Sequence, residues 1–244
     1  MPAHDSKAPL RLHLFGDSLM RGDLGDDWWL RLPTTKMHVQ NYARNGETFA
    51  SLHKLILADH SSKSPRFHGD LALISCGTND ALAQTSNLVA LAYDLYWGTQ
   101  ARSQSSLSHA LEIAQQLRTR YARVGLLLPP PPHSSQLGNP FSKCLQRIRA
   151  DLHQAHLPLE ILEATPPEDE PLTQFPPALA AITRAFIRKR ILAEPTGANF
   201  WHDGVHLGRR GGDSFLQLSL AFIQSPTHNI GDTTGLKSDS QRTP

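Results

Sequence analysis

Leu10-Arg11-Leu12-His13-Leu14-Phe15-Gly16-Asp17-Ser18-Leu19 is the stretch on which the reading of this chain turns. Leu10 to Phe15 is an apolar run of strand length, and a Gly-Asp-Ser turn closes it at once. Four further runs of this kind follow: Met37 to Ala43, Leu71 to Cys76, Val124 to Leu128 and Leu159 to Leu162. Between them, apolar residues recur at steps of three and four: Phe49, Leu52, Ile56; then Leu107, Leu111, Ala114, Leu117; then Phe141, Leu145, Ile148, Leu152. That spacing predicts helices with one buried face. Strands that alternate with helices pair in parallel, because each helix supplies the crossover a parallel pair needs, and helices then cover both sides of the sheet. The expected fold is α/β, a three-layer α/β/α sandwich with about five parallel strands.

In such sheets the loops leaving the carboxyl ends of the strands converge over one crevice, so chemistry is sought there. Gly16-Asp17-Ser18-Leu19 follows the first run, Asn45-Gly46 the second, and Gly77-Thr78-Asn79-Asp80 the third. Trp201-His202-Asp203-Gly204-Val205-His206 lies near the other end of the chain. Acyl transfer to a serine needs a nucleophile, a base, an acid that orients the base, and donors for the developing oxyanion. Ser18 is the candidate nucleophile, in a turn leading toward a helix expected to begin near Asp26; a strand-to-helix turn exposes the hydroxyl and aims backbone N–H groups at one point. Asp203 stands three residues before His206, close enough to fold back on one ring nitrogen and leave the other for Ser18. An ordinary imidazole, with a pKa of about 6.5, is mostly neutral above pH 7 and can serve as base. Gly46 permits close backbone approach, and the Asn79 amide offers a second donor.

These residues resemble the SGNH, or GDSL-type, hydrolases. Gly16-Asp17-Ser18-Leu19 with Gly22 is similar to the first block of that family, Asn41-Tyr42-Ala43-Arg44-Asn45-Gly46-Glu47-Thr48 to the second, Gly77-Thr78-Asn79-Asp80 to the third, and Asp203-Gly204-Val205-His206-Leu207 to the last. The blocks occur in the family's order over roughly residues 10 to 222. The resemblance implies a flavodoxin-like form of the α/β/α sandwich, a triad of Ser18, His206 and Asp203, an oxyanion hole of the Ser18 and Gly46 amides with the Asn79 side chain, and a serine esterase acting on a small-molecule, lipid or sugar ester with no metal or organic cofactor. An acyltransferase using the same site is the alternative, and a non-catalytic carbohydrate- or protein-binding module of the same fold is a more distant one. Ala43 and Asn45 stand where family members often carry glycine and serine.

Other features bound the reading. With 244 residues, 39% of them hydrophobic, the chain can bury one sizeable core, so one catalytic domain is expected over residues 1–224. Ser225 to Pro244, nearly without large apolar residues, is expected to be a disordered tail. A formal net charge of +2 gives no reason to expect nucleic acid as a partner. Met1 to Leu10 has no apolar core of a signal peptide and no membrane-spanning run occurs, and the two cysteines, Cys76 and Cys144, sit in apolar stretches, so a cytoplasmic protein without disulfides is expected. None of the thirteen histidines falls in a Cys/His cluster, and they are read as mostly surface residues with no metal. Pro129 to Pro132 is expected to be extended; Thr165 to Pro177, leading into a helix near Pro177 to Ala193, could cover the crevice. Asp17 and Asp80 are expected to hydrogen-bond their loops. Arg21, Arg44 and Trp28 are candidate substrate contacts, the arginines together with Arg209 and Arg210 suggesting an anionic ester.

Overall fold

The computed structural model describes residues 9–23, 25–98, 105–131, 140–166 and 206–225. Each of the five apolar runs forms a strand: β1 (Leu10–Gly16), β2 (Met37–Asn41), β3 (Gly69–Ser75), β4 (Tyr121–Leu127) and β5 (Glu160–Leu162). They build one sheet in the order β2-β1-β3-β4-β5, with every neighbouring pair parallel. Leu12 stands opposite Leu71, and Gly16 opposite Ser75. The chain leaves β1 for β2 at the sheet edge and then returns past β1 to β3. The direction of winding therefore reverses between β1 and β3, which opens a crevice at their carboxyl ends.

Among the described residues the helices are α1 (Ser18–Arg21), α2 (Phe49–His60), α3 (Thr78–Thr85), α4 (Asn87–Trp97), α5 (Ser106–Arg118), α6 (Pro140–Gln154) and α7 (Arg209–Gln224), with a 3₁₀ turn at Trp28–Arg31. Alternation along β1 feeds two cores, since successive side chains point to opposite faces. Phe15 joins Leu52 of α2, Ile113 of α5 and Leu145 of α6 on one face. Leu12 and Leu14 join Met20, Trp28 and Phe215 of α7 on the other. Arg31 pairs with both Asp26 and Asp213, pinning α7 beside the 3₁₀ turn. All of these apolar side chains are at most 3% exposed.

Four expectations are modified. No long helix begins near Asp26. A single turn, α1, starts at Ser18 itself and stops where Gly22 takes φ +84° and returns its N–H to the Ser18 carbonyl at 3.0 Å. Leu111 is 38% exposed, because the buried stripe of α5 runs through Ala110, Ile113, Ala114 and Leu117. Helices α3 and α4 occupy a stretch in which no helix was anticipated. Residues Thr78 to Ala83 are buried all round, and α4 exposes Leu88, Leu91 and Leu95, so neither has a clean apolar stripe facing inward. Finally, His13, His53 and His109 are not surface residues, with side chains no more than 14% exposed.

Pro129 and Pro130 continue from β4 without regular secondary structure, and both are buried. The segment beyond Pro166, including the helix expected near Pro177 to Ala193, and the tail beyond Ser225 lie outside the described residues. Among the described residues no helix is long and apolar enough to cross a membrane.

Candidate active site

The turn after β1 is shaped by one glycine. Gly16 has φ +141°, and a Cβ there would lie 2.0 Å from the Ser75 carbonyl oxygen. Only glycine lets the chain cross this tightly over the end of β3. Asp17 then donates its N–H to that same Ser75 oxygen at 2.9 Å, and its side chain caps α1 by accepting from the Leu19 N–H at 2.9 Å. Ser18 is thereby the first residue of α1, where backbone N–H groups have no acceptor within the helix. His206 arrives from 188 residues downstream, just ahead of α7, and the Asp26 N–H holds the next carbonyl, that of Leu207, at 2.9 Å. The Nε2 atom of His206 lies 3.1 Å from Ser18 Oγ, and both residues are buried.

The loop after β2 is sewn to this turn. The Arg44 N–H donates to the Gly16 carbonyl at 2.8 Å, Asn41 Nδ2 to the Met20 carbonyl at 3.0 Å, and Arg21 Nη1 to the Ala43 carbonyl at 3.1 Å. Gly46 sits in this loop at φ +80°. Asn79, in the first turn of α3, reaches the same loop: its Nδ2 donates to the Glu47 carbonyl at 3.0 Å. Its Oδ1 accepts from the Tyr93 hydroxyl of α4 at 2.7 Å. These two bonds set which way the amide faces, and an amide nitrogen carries a second N–H beyond the one given to Glu47. The loops after β1, β2 and β3 thus form one hydrogen-bonded unit around Ser18.

No family model matches this sequence, and no curated protein sequence matches it. Solved structures do. A lipolytic protein of the G-D-S-L family from Veillonella parvula DSM 2008 aligns with a TM-score of 0.52 at 15% identity, over 88% of this chain and 99% of its own. The fold is that of the SGNH/GDSL hydrolases. The acetylxylan esterase Axe2 from Geobacillus stearothermophilus aligns with a TM-score of 0.54 at 15% identity, over 91% of this chain and 97% of that one. LAE5, an alpha/beta hydrolase enzyme from the metagenome of Lake Arreo, Spain, aligns at 14% identity with a TM-score of 0.52, over 88% and 94%.

Within this SGNH-type fold the carboxylates near Ser18 are buried. Asp17 has no exposed surface, and burial pushes its pKa up to about 7, partly offset by the Leu19 N–H. Burial likewise lifts Asp80 to about 6, although its oxygens accept from the Phe49 N–H at 3.1 Å and the Ser106 hydroxyl at 3.1 Å. Asp17 holds the turn in which it stands, whereas Asp80 ties α3 to the first residues of α2 and α5. Glu47, also raised by burial, is paired with Arg44 at 2.8 Å.

The candidate substrate contacts fare differently. Trp28 is fully buried against Phe215 and donates its indole N–H to the Leu19 carbonyl at 3.1 Å; it is a core residue with no surface to present to a substrate. Arg44 engages Glu47, Arg21 lies 2.9 Å from Asp23, and Arg209 faces Asp26 and Asp213 at 3.8 and 3.6 Å, so these arginines, expected to mark an anionic site, are matched by acids of the protein itself. Asp203 lies outside the described residues, as does His202. Tyr93 and the Glu47 carbonyl, which hold Asn79, were not anticipated. Tyr93 follows Asn79 by 14 residues on a different helix, and no spacing rule links them.

Proposed function

We propose that this protein is a serine esterase that hydrolyses a carboxylic ester through an acyl-enzyme on Ser18. The reading rests on one observation: His206 Nε2 lies 3.1 Å from Ser18 Oγ, at the end of β1 in a fold of SGNH/GDSL hydrolase type. It is supported by the names of proteins sharing that fold, which include an acetylxylan esterase; a serine-to-alanine variant of that enzyme is described as a catalytic mutant.

In this reading Ser18 Oγ attacks the ester carbonyl as its proton passes to His206 Nε2. Negative charge gathers on the former carbonyl oxygen, which the Ser18 and Gly46 N–H groups and the second Asn79 N–H receive. His206 then gives its proton to the departing alkoxide, and the alcohol leaves the Ser18 ester behind. A water molecule repeats the sequence: His206 takes its proton, hydroxide adds to the acyl carbon, and the carboxylic acid leaves as Ser18 regains its proton. Asp203 holds the imidazole in the required tautomer and stabilises the imidazolium.

Fluorophosphonate labelling of the full chain, run beside hydrolysis of aryl esters of increasing acyl length starting from acetate, tests this. The wild-type protein labels once and turns over at least the shortest esters, and Ser18→Ala does neither. Equal labelling of the Ser18→Ala protein, or no turnover of any ester by the wild type, rejects the reading.

A further inference from the structure

Helices α2 and α5 lie on the same face of the sheet, and one carboxylate ties their first turns together, since Asp80 accepts from both the Phe49 N–H and the Ser106 hydroxyl. One turn further along each helix lies a second cluster. His53 Nδ1 of α2 is 3.1 Å from His109 Nδ1 of α5. His53 Nε2 is 3.1 Å from Glu112 Oε2, and that oxygen is 4.0 Å from His109 Nδ1. One ligand atom from each of the three residues can be chosen so that all lie within 4.8 Å of one another. We infer that His53, His109 and Glu112 form a site for one divalent cation of the zinc class, bridging α2 to α5.

The spacing suits such an ion. Tetrahedral ligands at about 2.0–2.1 Å from a metal stand roughly 3.3 Å apart; one nitrogen of His53, His109 Nδ1 and Glu112 Oε2 lie within 4.8 Å of one another, so a rotation of the His53 ring together with the exposed Glu112 side chain is what closes the site. Two imidazoles and one carboxylate favour Zn²⁺, Co²⁺ or Ni²⁺ over Mg²⁺ or Ca²⁺, which take oxygen ligands. Both rings are largely buried while the Glu112 side chain is 52% exposed, which gives an ion a route in past the carboxylate. The cluster joins residues 56 apart in the chain, so no local motif announces it; only the His109/Glu112 pair, three apart on one helix, is visible in sequence. The inference does not depend on the esterase reading.

Titration of the full chain with Co²⁺, followed by its visible absorption, tests the site. One equivalent binds with the intensity of a tetrahedral centre, and Zn²⁺, but not Mg²⁺, displaces it. His53→Ala and His109→Ala each remove that equivalent, and Glu112→Gln, at a half-exposed position that leaves the fold intact, weakens it by at least about tenfold. In parallel, Zn²⁺ raises the Tm of the wild type and raises that of Glu112→Gln much less. Binding of Co²⁺ to Glu112→Gln with wild-type affinity and stoichiometry, or a titration that saturates only with octahedral absorption, overturns the proposal.

Discussion

The Tyr93 hydroxyl donates to Oδ1 of Asn79 at 2.7 Å, and in doing so decides which edge of the amide faces the crevice. With Nδ2 held by the Glu47 carbonyl, the amide is fixed at both ends. Tyr93→Phe keeps the ring and releases one end. We expect kcat on an aryl ester to drop roughly tenfold with KM nearly unchanged, well short of the hundredfold or more expected for Asn79→Ala, because a donor that must be reoriented still exists. An unaltered kcat in Tyr93→Phe would show that packing alone holds the amide.

Asp17 provides a test by pH. Its pKa rises from 3.8 to about 7 on folding, so the folded protein binds the proton more tightly than the unfolded chain. The corresponding stability is fully present below pH 3.8 and is lost as pH rises through 7. Asn keeps the capping oxygen and carries no charge. Urea unfolding of Asp17→Asn and wild type should therefore diverge, the variant gaining on the wild type by on the order of a few kcal/mol between acid and pH 8. A gap that stays constant with pH would mean the carboxylate is solvated.

Gly16→Ala is expected to disable the molecule structurally before it affects chemistry. The added methyl collides with the backbone of β3 at a φ that L-residues avoid, and no flexible side chain can yield. A loss of at least about 3 kcal/mol in urea unfolding is expected.

Trp28→Phe separates a core role from a substrate role. Losing the indole N–H leaves the buried Leu19 carbonyl without its donor, at a cost of about 1–3 kcal/mol in stability. If Trp28 is purely core, KM for short and long acyl esters stays within about twofold of wild type. A KM that shifts with acyl length would return the indole to the substrate pocket.

Much of this architecture was legible before any coordinates. The five apolar runs became the five strands; β1, β3 and β4, inside the sheet, are buried on both faces, which demands nearly continuous apolar residues, while the edge strands β2 and β5 are shorter and partly exposed. α3 escaped notice because a helix buried on all sides shows no period, and α4 because its large apolar residues point outward. Arg44 and Trp28 looked available for substrate from their place beside the motifs. Arg44 is matched by Glu47, three residues on, once the turn between them has its shape, whereas the Trp28 indole is covered by Phe215, brought from the last helix.

The order of residues alone dictated strands, the turns that follow them, and the presence of a serine and an asparagine in those turns and of a histidine ahead of the last helix, because periodicity and turn chemistry act over a few neighbours. It could not dictate that His206 lies 3.1 Å from Ser18 or that His53 meets His109 and Glu112. Those pairings follow from strand order and helix packing, which bring together groups separated by 188 and 56 residues only once the whole sheet has closed its two cores.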